Sequence, residues 1–361
     1  MKNTILTFFF AFVTIVIQAQ NSSNTITTAA PFLLISTDAR AGGMADIGAA
    51  TSADAFSVFH NPAKTAFSEN QINIGLNYTP WLRNLTNDIF IGGASYINRF
   101  KENQAWAVDF KYFSLGEVEL TDALGGSEGT ENPSEFALTG VYSLKLSETF
   151  SMGIGLKYIY SNLDISDNLN AANSFAVDIS GYYQSPKESY GDFDGRYRIG
   201  FNIANIGPKI SYTPGVENFI PTNLKLGGGF DFILDNFNTL GVNLEFTKLL
   251  VPSDPNSTDG WFEGIFTSFG DSSFSQELKE ITWALGAEYK YNKAFSIRTG
   301  YFNESKDYGN RQFFTLGAGF EARAFSLDLS YLINASDINN PLENTLRFSL
   351  AFDLGQIYDD F

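Results

Sequence analysis

The most informative pattern in this chain is the alternation of apolar and polar residues at a period of two, which runs from about residue 70 to the end. Residues 106–112 read WAVDFKY, and residues 346–353 read LRFSLAFD. Successive side chains of a strand point to opposite faces, so each segment predicts a strand with one apolar and one polar face. A transmembrane strand needs about 9–11 residues, and the repeated pattern is typical of an outer-membrane barrel.

The alternation therefore predicts an all-β fold, a transmembrane antiparallel β-barrel of about fourteen strands. The predicted strand cores are 70–79, 88–97, 104–113, 134–144, 150–160, 174–183, 196–204, 222–232, 239–247, 281–290, 294–302, 311–320, 324–333 and 344–354. One of the two faces of this sheet is expected to contact lipid.

The lengths of the connections predict the orientation of the barrel. Connections after even-numbered strands are mostly short, as at 145–149, whereas those after odd-numbered strands are longer, as at 114–133. Barrels of this class have short periplasmic turns and long extracellular loops, so we expect both termini to be periplasmic. The connection 184–195 breaks this rule and is either a functional excursion or a misread strand.

Charged residues of both signs fall on the predicted inner face. They are Asp109, Lys111, Lys157, Asp178, Arg198, Lys225, Asp231, Glu245, Glu288, Arg298, Asp328, Arg347 and Asp353. An ion-selective pore would favour a lining of a single sign. A barrel of more than eight strands leaves a lumen, so the mixed lining predicts internal ion pairs against a plug.

Residues 20–69 are the candidate plug because they lack strand alternation and are rich in small residues over 39–50. Asn61 and Pro62 are typical cap and breaker signals around short helices. The alternative is a flexible periplasmic tail, but apolar clusters at 31–35 and 56–59 favour a packed segment. Asp38 and Arg40 are predicted to hold the plug by pairing with inward charges, with a gate latch as the alternative.

The first residues predict a signal peptide. Lys2 precedes an apolar run over 5–17, and a plausible cleavage site follows Ala19. The run is shorter than the roughly 20 apolar residues of a transmembrane helix. The predicted organisation is a signal peptide over 1–19, a periplasmic N-terminus and plug over 20–69, and a transmembrane barrel over 70–361, in the outer membrane.

Composition narrows the function. The formal net charge of −17 argues against nucleic-acid binding, and zero cysteines exclude disulfides and thiolate metal sites. His60 is the only histidine, and the sequence supplies no partners for a hydrolase or metal site around it. We therefore expect no enzyme activity, no cofactor and no metal, with a structural role for His60.

Two outer connections are candidate contact surfaces. Pro80, Trp81 and Leu82 form a short rigid stretch in which Trp81 is either a binding anchor or an ordinary aromatic of the membrane interface. The longest connection, 248–280, carries aromatic residues among acidic ones. Connections this long are usually functional or disordered, so it is either a partner surface or a self-packed lid over the barrel.

Five motifs resemble one family. PFLLI at 31–35, DARAGGM at 38–44, DIG at 46–48, HNPAK at 60–64 and YTPWLR at 78–83 are similar to the signature of the PorV (LptO) family of the type IX secretion system. The Asn-Pro-Ala piece alone is less specific, because it also occurs in the wider FadL-like family of fatty-acid transporters.

This resemblance implies a FadL-like barrel with an N-terminal plug and a role in protein secretion. It implies binding to a SprA (Sov) translocon and to cargo C-terminal signal domains, followed by delivery to a cell-surface attachment complex. Under this interpretation Pro80, Trp81 and Leu82 are predicted to contact the translocon. The alternatives are a FadL-like transporter of hydrophobic small molecules and a soluble β-sandwich, which would show no heat-dependent gel shift in detergent.

Overall fold

The structure is a computed structural model that describes residues 25–81, 88–122, 124, 126–163, 170–255, 257–337, 343 and 345–358. The predicted signal peptide and Leu82 lie outside the described residues. None of the described helices is long and apolar enough to cross a membrane.

Fourteen antiparallel strands close into a barrel, so the predicted fold is confirmed. They are β1 (Asn70–Pro80), β2 (Ile89–Lys101), β3 (Gln104–Leu115), β6 (Ser134–Lys145), β7 (Phe150–Asn162), β8 (Ala172–Gln184), β10 (Asp194–Ile206), β13 (Asn223–Ile233), β14 (Asn238–Leu249), β15 (Thr282–Tyr291), β16 (Phe295–Asn303), β17 (Gln312–Ala322), β18 (Phe325–Asn334) and β19 (Leu346–Ile357). Each predicted core corresponds to one of these strands.

The shorter elements are not among the fourteen strands of the wall. The strands are β4 (Val118–Thr121), β5 (Ser127–Glu131), β9 (Glu188–Ser189), β11 (Ile210–Thr213) and β12 (Val216–Asn218), and the helices are α1 (Ala39–Gly42), α2 (Ser57–His60), α3 (Trp261–Thr267), α4 (Phe274–Glu280) and two 3₁₀ helices, Pro31–Leu34 and Pro62–Phe67. The exceptional connection after β8 is not a misread wall strand, because β9 forms a small hairpin with the start of β10.

Pairing of neighbouring strands continues around the wall. β1 pairs with both β2 and β19, and β10 pairs with β13, which closes the ring. Large apolar side chains such as Leu156, Ile199 and Ile297 are exposed on the outer face. We call the end with the long connections the loop end and the end with the short connections the turn end.

The plug passes through the lumen from the loop end to the turn end. The amide of Ala29 donates to the carbonyl oxygen of Phe219, in the 207–222 connection, at 2.8 Å. At the other end the carbonyl oxygen of Ser68 accepts from Arg99, and β1 begins at Asn70. The amide of Tyr358 donates to Glu69, also at the turn end.

The first and last described residues lie at opposite ends of the barrel, whereas the connection lengths predicted both termini on the same side. In the described part of the chain, the N-terminal residues lie at the loop end and the C-terminal residues at the turn end. Residues 25–35 of the predicted N-terminus and plug lie at the loop end, because a plug that crosses the lumen must start at the far end from β1.

Small residues let the plug backbone approach the wall, as the sequence indicated. A side chain at Gly43 would lie 3.0 Å from the Cα of Gly317 on β17. In the GGG run of β13, a side chain at Gly227 would lie 3.0 Å from the Cβ of Ala50, whereas Gly228 faces open space. The plug therefore approaches this strand closely at Gly227 and not at Gly228.

We expect Gly200→Ala to destabilise the protein, because a methyl group there would collide with the carbonyl oxygen of Ala49 in the plug. Overpacking of this kind costs about 1–3 kcal/mol or more. Gly228→Ala is the matched control, since it lies on the adjacent strand and meets nothing within 4 Å. The temperature of the gel shift in detergent measures the difference, and equal temperatures for both variants would contradict the packing described here.

Candidate functional site

Inward side chains of the wall bind the backbone of the plug. The carboxylate of Glu245 accepts from the amides of Gly48 and Ala49 at 2.9 and 2.8 Å. Hydroxyl groups do the same elsewhere, with Ser349 accepting from the Ala39 amide at 2.7 Å. A buried backbone amide without a partner costs about 1–3 kcal/mol, so these contacts allow an irregular segment to lie inside the barrel.

Further wall donors bind plug carbonyl groups. Arg198 of β10 donates to the Ala50 oxygen at 2.9 Å, and Lys111 of β3 donates to the Ile35 oxygen at 2.7 Å. Arg347 of β19 pairs with Asp46 of the plug. The contacts come from widely separated strands, so the plug is fixed from several sides.

Arg40 lies at the centre of the largest buried ion network. Its guanidinium group donates to Glu288 of β15 at 3.0 and 2.9 Å and to Asp54 of the plug at 2.6 Å. Glu288 also pairs with Arg298 at 2.7 Å, and Arg298 pairs with Asp328 at 2.6 Å. The network joins the plug to β15, β16 and β18, which is the pairing with inward charges that the sequence indicated for Arg40.

Asp38 has a different partner from the one expected. Its carboxylate lies 2.6 Å from Nε2 of His60, which is itself in the plug, and accepts from the Ala41 amide at the start of α1. Burial alone would raise the pKa of Asp38, but the neighbouring His60 and this amide hold that pKa well below its usual range. Asp38 therefore fixes one part of the plug to another.

Asn61 and Pro62 start the second 3₁₀ helix. The Asn61 side chain accepts from the Ala63 amide at 3.0 Å and donates to the carbonyl oxygens of Ala49 and Gly181 at 2.8 and 3.1 Å. Proline suits the next position because its missing N–H would be unsatisfied there anyway. This segment thus joins two turns of the plug to β8.

Lys64 is a site residue that the sequence reasoning did not single out. It is fully buried, and its ammonium group donates to the Gly48 carbonyl oxygen and the Thr51 hydroxyl, both at 2.9 Å. Burial lowers its pKa to about 8. The only indication in the sequence was the position of Lys64 in the HNPAK motif. The pattern of apolar and polar residues alone does not identify it.

Trp81 points inward and is half-buried. Its ring packs edge-on against Phe113 at a centroid distance of 5.6 Å, beside an apolar cluster that includes Phe32 and Leu33 of the plug. Pro80 is buried. Trp81 is only partly exposed, because the apolar start of the plug offers it a packing partner inside the loop end. Contact of Pro80, Trp81 and Leu82 with the translocon stays a prediction.

The turn end holds an open cavity of about 450 Å³. Residues of both signs line it, including Arg40 and Asp54 of the plug and Glu288, Arg298 and Asp353 of the wall. The plug forms part of its wall, which agrees with the mixed lining expected from the sequence.

The long connection 250–281, which we call the lid, contains α3 and α4. Gly264 leaves room for Phe219 and Pro252 on the inner side of α3. On the outer side aromatic and aliphatic side chains are exposed, with Phe274 exposed by 79% and Phe266 by 64%. The complete exposed set is Trp261, Phe262, Phe266, Phe269, Phe274 and Leu278.

The lid is fixed to the barrel by ion pairs. Lys248, at the end of β14, pairs with Glu277 at 2.9 Å and with Glu280. The Tyr308 hydroxyl donates to Glu280 at 3.3 Å. Burial raises the pKa of Glu280, and burial with the adjacent Glu280 raises the pKa of Tyr308 to about 12. Asp271 joins the two glutamates in an acidic cluster, where Lys248 supplies the compensating charge.

The model of the family described as type IX secretion system protein PorV matches residues 18–256. The chain belongs to the PorV family. This PorV-family chain is therefore an outer-membrane component of the type IX secretion system. No curated protein matches the sequence.

Solved structures similar to this PorV-family protein share its architecture. A TodX deltaS2S3 mutant, described as a monoaromatic hydrocarbon channel, has a TM-score of 0.52 and 11% identity over 87% of this chain and 97% of that one. The P. putida toluene transporter TodX has a TM-score of 0.50 and 10% identity over 88% and 98%. A Pseudomonas aeruginosa FadL homologue has a TM-score of 0.49 and 12% identity over 91% and 99%. At these identities the likeness concerns the fold alone.

We expect Arg40→Ala to loosen the plug, because it leaves Glu288 and Asp54 without their shared partner. Removing one member of a buried pair costs about 3–5 kcal/mol. The variant should show its gel shift at a lower temperature and make cells more sensitive to a bulky antibiotic.

Lys187→Ala is the control for this loss. Lys187 also pairs with a carboxylate, that of Asp194, at 2.9 Å, but both side chains of this pair are exposed. Exposed pairs contribute about 0–1 kcal/mol, so little change is expected. Wild-type heat resistance and permeability in Arg40→Ala would disprove its role in holding the plug.

Proposed function

We propose that this PorV-family protein binds the SprA-type translocon and the C-terminal signal domain of cargo, and passes the cargo to the cell-surface attachment complex. In this role it acts by binding rather than by catalysis. We also propose that the loop end faces the outside of the cell, as is usual for barrels of this class.

The lumen supports a binding role because the plug occupies it. The plug is held at its start by an apolar cluster, at its centre by the Arg40 network and at its end by Arg99. Passage of a hydrophobic molecule would require these buried contacts to break. The surfaces that a partner can reach are therefore at the two ends of the barrel.

The outer face of the lid is the observation that carries the proposal. Scattered exposed apolar residues are normal on a protein surface, but a group of large ones indicates an interaction site. Phe262 and Phe266 lie one turn apart on α3 with ring centroids 5.3 Å apart, and Phe274 and Leu278 lie one turn apart on α4. Aromatic side chains of this kind are frequent anchors in protein interfaces.

The charge of the lid favours a protein partner with basic residues. Asp254, Asp259, Glu263 and Asp271 belong to the same connection as the exposed aromatic residues, and Lys279 is paired with Asp307 at 2.7 Å. Complementary charges steer association and suppress incorrect partners. We therefore propose that the partner presents an apolar surface bordered by lysine or arginine.

The alternative function is transport of a hydrophobic small molecule, since similar structures are those of a monoaromatic hydrocarbon channel and a toluene transporter. An outward kink that opens the wall to lipid would favour it. Among the described residues β3 pairs with β2 and β6, and the register shifts of the wall fall near strand ends, at Asn70/Ile72, Asn98/Lys101 and Ile203/Ile206. The pairing of these strands therefore favours the binding role over transport through an opening in the wall.

A deletion strain separates these two functions. We expect loss of cargo from the cell surface and medium, with normal uptake of fatty acids and monoaromatic compounds. Expression of the gene in trans should restore secretion. Normal secretion together with reduced uptake would reject the proposed function in favour of transport.

Substitutions on the lid test the proposed surface. We expect Phe266→Ser and Phe274→Ser to reduce co-purification of the translocon and cargo secretion, because each removes an exposed aromatic anchor. The gel shift in detergent should stay at the wild-type temperature, since neither side chain is buried.

Leu124→Ser provides the control, because Leu124 is also a large exposed residue but lies in the connection between β4 and β5. It should leave binding and secretion unchanged. If both lid variants behave like Leu124→Ser, the lid is not the partner surface.

A further inference from the structure

The first described residues leave the barrel at the loop end. Thr25 and Thr27 are exposed, whereas Ala29 and Ala30 are buried. The Ala29 amide is bonded to Phe219, which belongs to the connection that also carries β11 and β12. The chain therefore passes from a solvent-exposed position into the apolar interior within a few residues.

An apolar anchor fixes this entry. Phe32 and Leu33 belong to one buried cluster with Ile91, Phe113 and Ile220. Ile91 and Phe113 are on β2 and β3, and Ile220 is in the connection before β13. Two wall strands and the connection before β13 thus hold the same short segment at the loop end. Residues 25–35 could move toward the turn end only if these buried contacts broke.

The same segment is continuous with the lid. Phe219 accepts the hydrogen bond from Ala29 with its carbonyl group, and its ring contacts the position of Gly264 on α3. One residue therefore joins the N-terminal segment to the lid helix. The exposed stretch 25–28 borders the surface that carries the lid.

We infer that residues 25–28 are displayed on the outside of the cell, as part of the same outer surface as the lid, and do not form a periplasmic tail. This inference rests on the proposed orientation of the loop end, which the Glu217 and Glu148 controls below test separately, and it does not depend on any partner. It identifies the N-terminal segment as a second surface within reach of whatever binds at the loop end.

The absence of cysteine from the sequence allows a direct test. Thr25→Cys and Thr27→Cys would be made singly and labelled with a membrane-impermeant maleimide. The protein would be expressed in the outer membrane of a bacterium that lacks type IX secretion, so that no partner covers the loop end. The gel shift in detergent would verify that each variant is folded.

Two cysteine controls mark the two ends of the barrel. Glu217→Cys reports the loop end, because Glu217 is exposed on β12, beside the segment under test. Glu148→Cys reports the turn end, because Glu148 is exposed in the short connection between β6 and β7. Both are charged surface positions outside the lid and the plug.

We expect Thr25→Cys, Thr27→Cys and Glu217→Cys to be labelled to the same extent in intact cells, and Glu148→Cys only after the outer membrane is permeabilised. Labelling of the threonine positions only after permeabilisation would overturn the inference. Labelling only after denaturation would also overturn it, since the segment would then be buried. Labelling of Glu148→Cys but not Glu217→Cys in intact cells would show the opposite orientation and reject it as well.

Discussion

Hydrogen bonding of the plug backbone by side chains of the wall is the interaction on which this structure depends. A closed sheet satisfies its own backbone groups, but an irregular segment inside it cannot. Glu245, Ser349, Arg198 and Lys111 supply the missing partners. Because each contact uses an inward side chain at one fixed position, the strand register determines where the plug lies.

This arrangement explains why charges of both signs line the lumen. Buried charges are costly unless they are paired and hydrogen-bonded, and the chain from Asp328 through Arg298 and Glu288 to Arg40 pairs each member with its neighbour. Such a network favours one position of the plug over others. The polar interior thus fixes one arrangement of the chain, as the apolar core does in a soluble protein.

Because the lumen is filled, the functional surfaces are expected at the ends of the barrel, and the two ends differ. The turn end has short connections and a polar cavity, whereas the loop end has the lid, the β11–β12 hairpin and the entry of the N-terminal segment. Similar barrels are described as a channel and a transporter. The same fold can therefore serve different functions, according to what fills the lumen and what covers the loop end.

The sequence by itself determined the barrel, its strands and the existence of a plug. The period of two and the run of small residues are local patterns, which can be recognised without knowing how the strands pair. It also indicated Arg40 as a paired charge. Tertiary structure decided the partners: Asp38 pairs with His60, Lys64 is buried on plug oxygens, and Trp81 turns inward to Phe113. It also decided that the plug enters from the loop end, since the direction of a segment through a lumen depends on contacts between residues far apart in the chain, which no local pattern records.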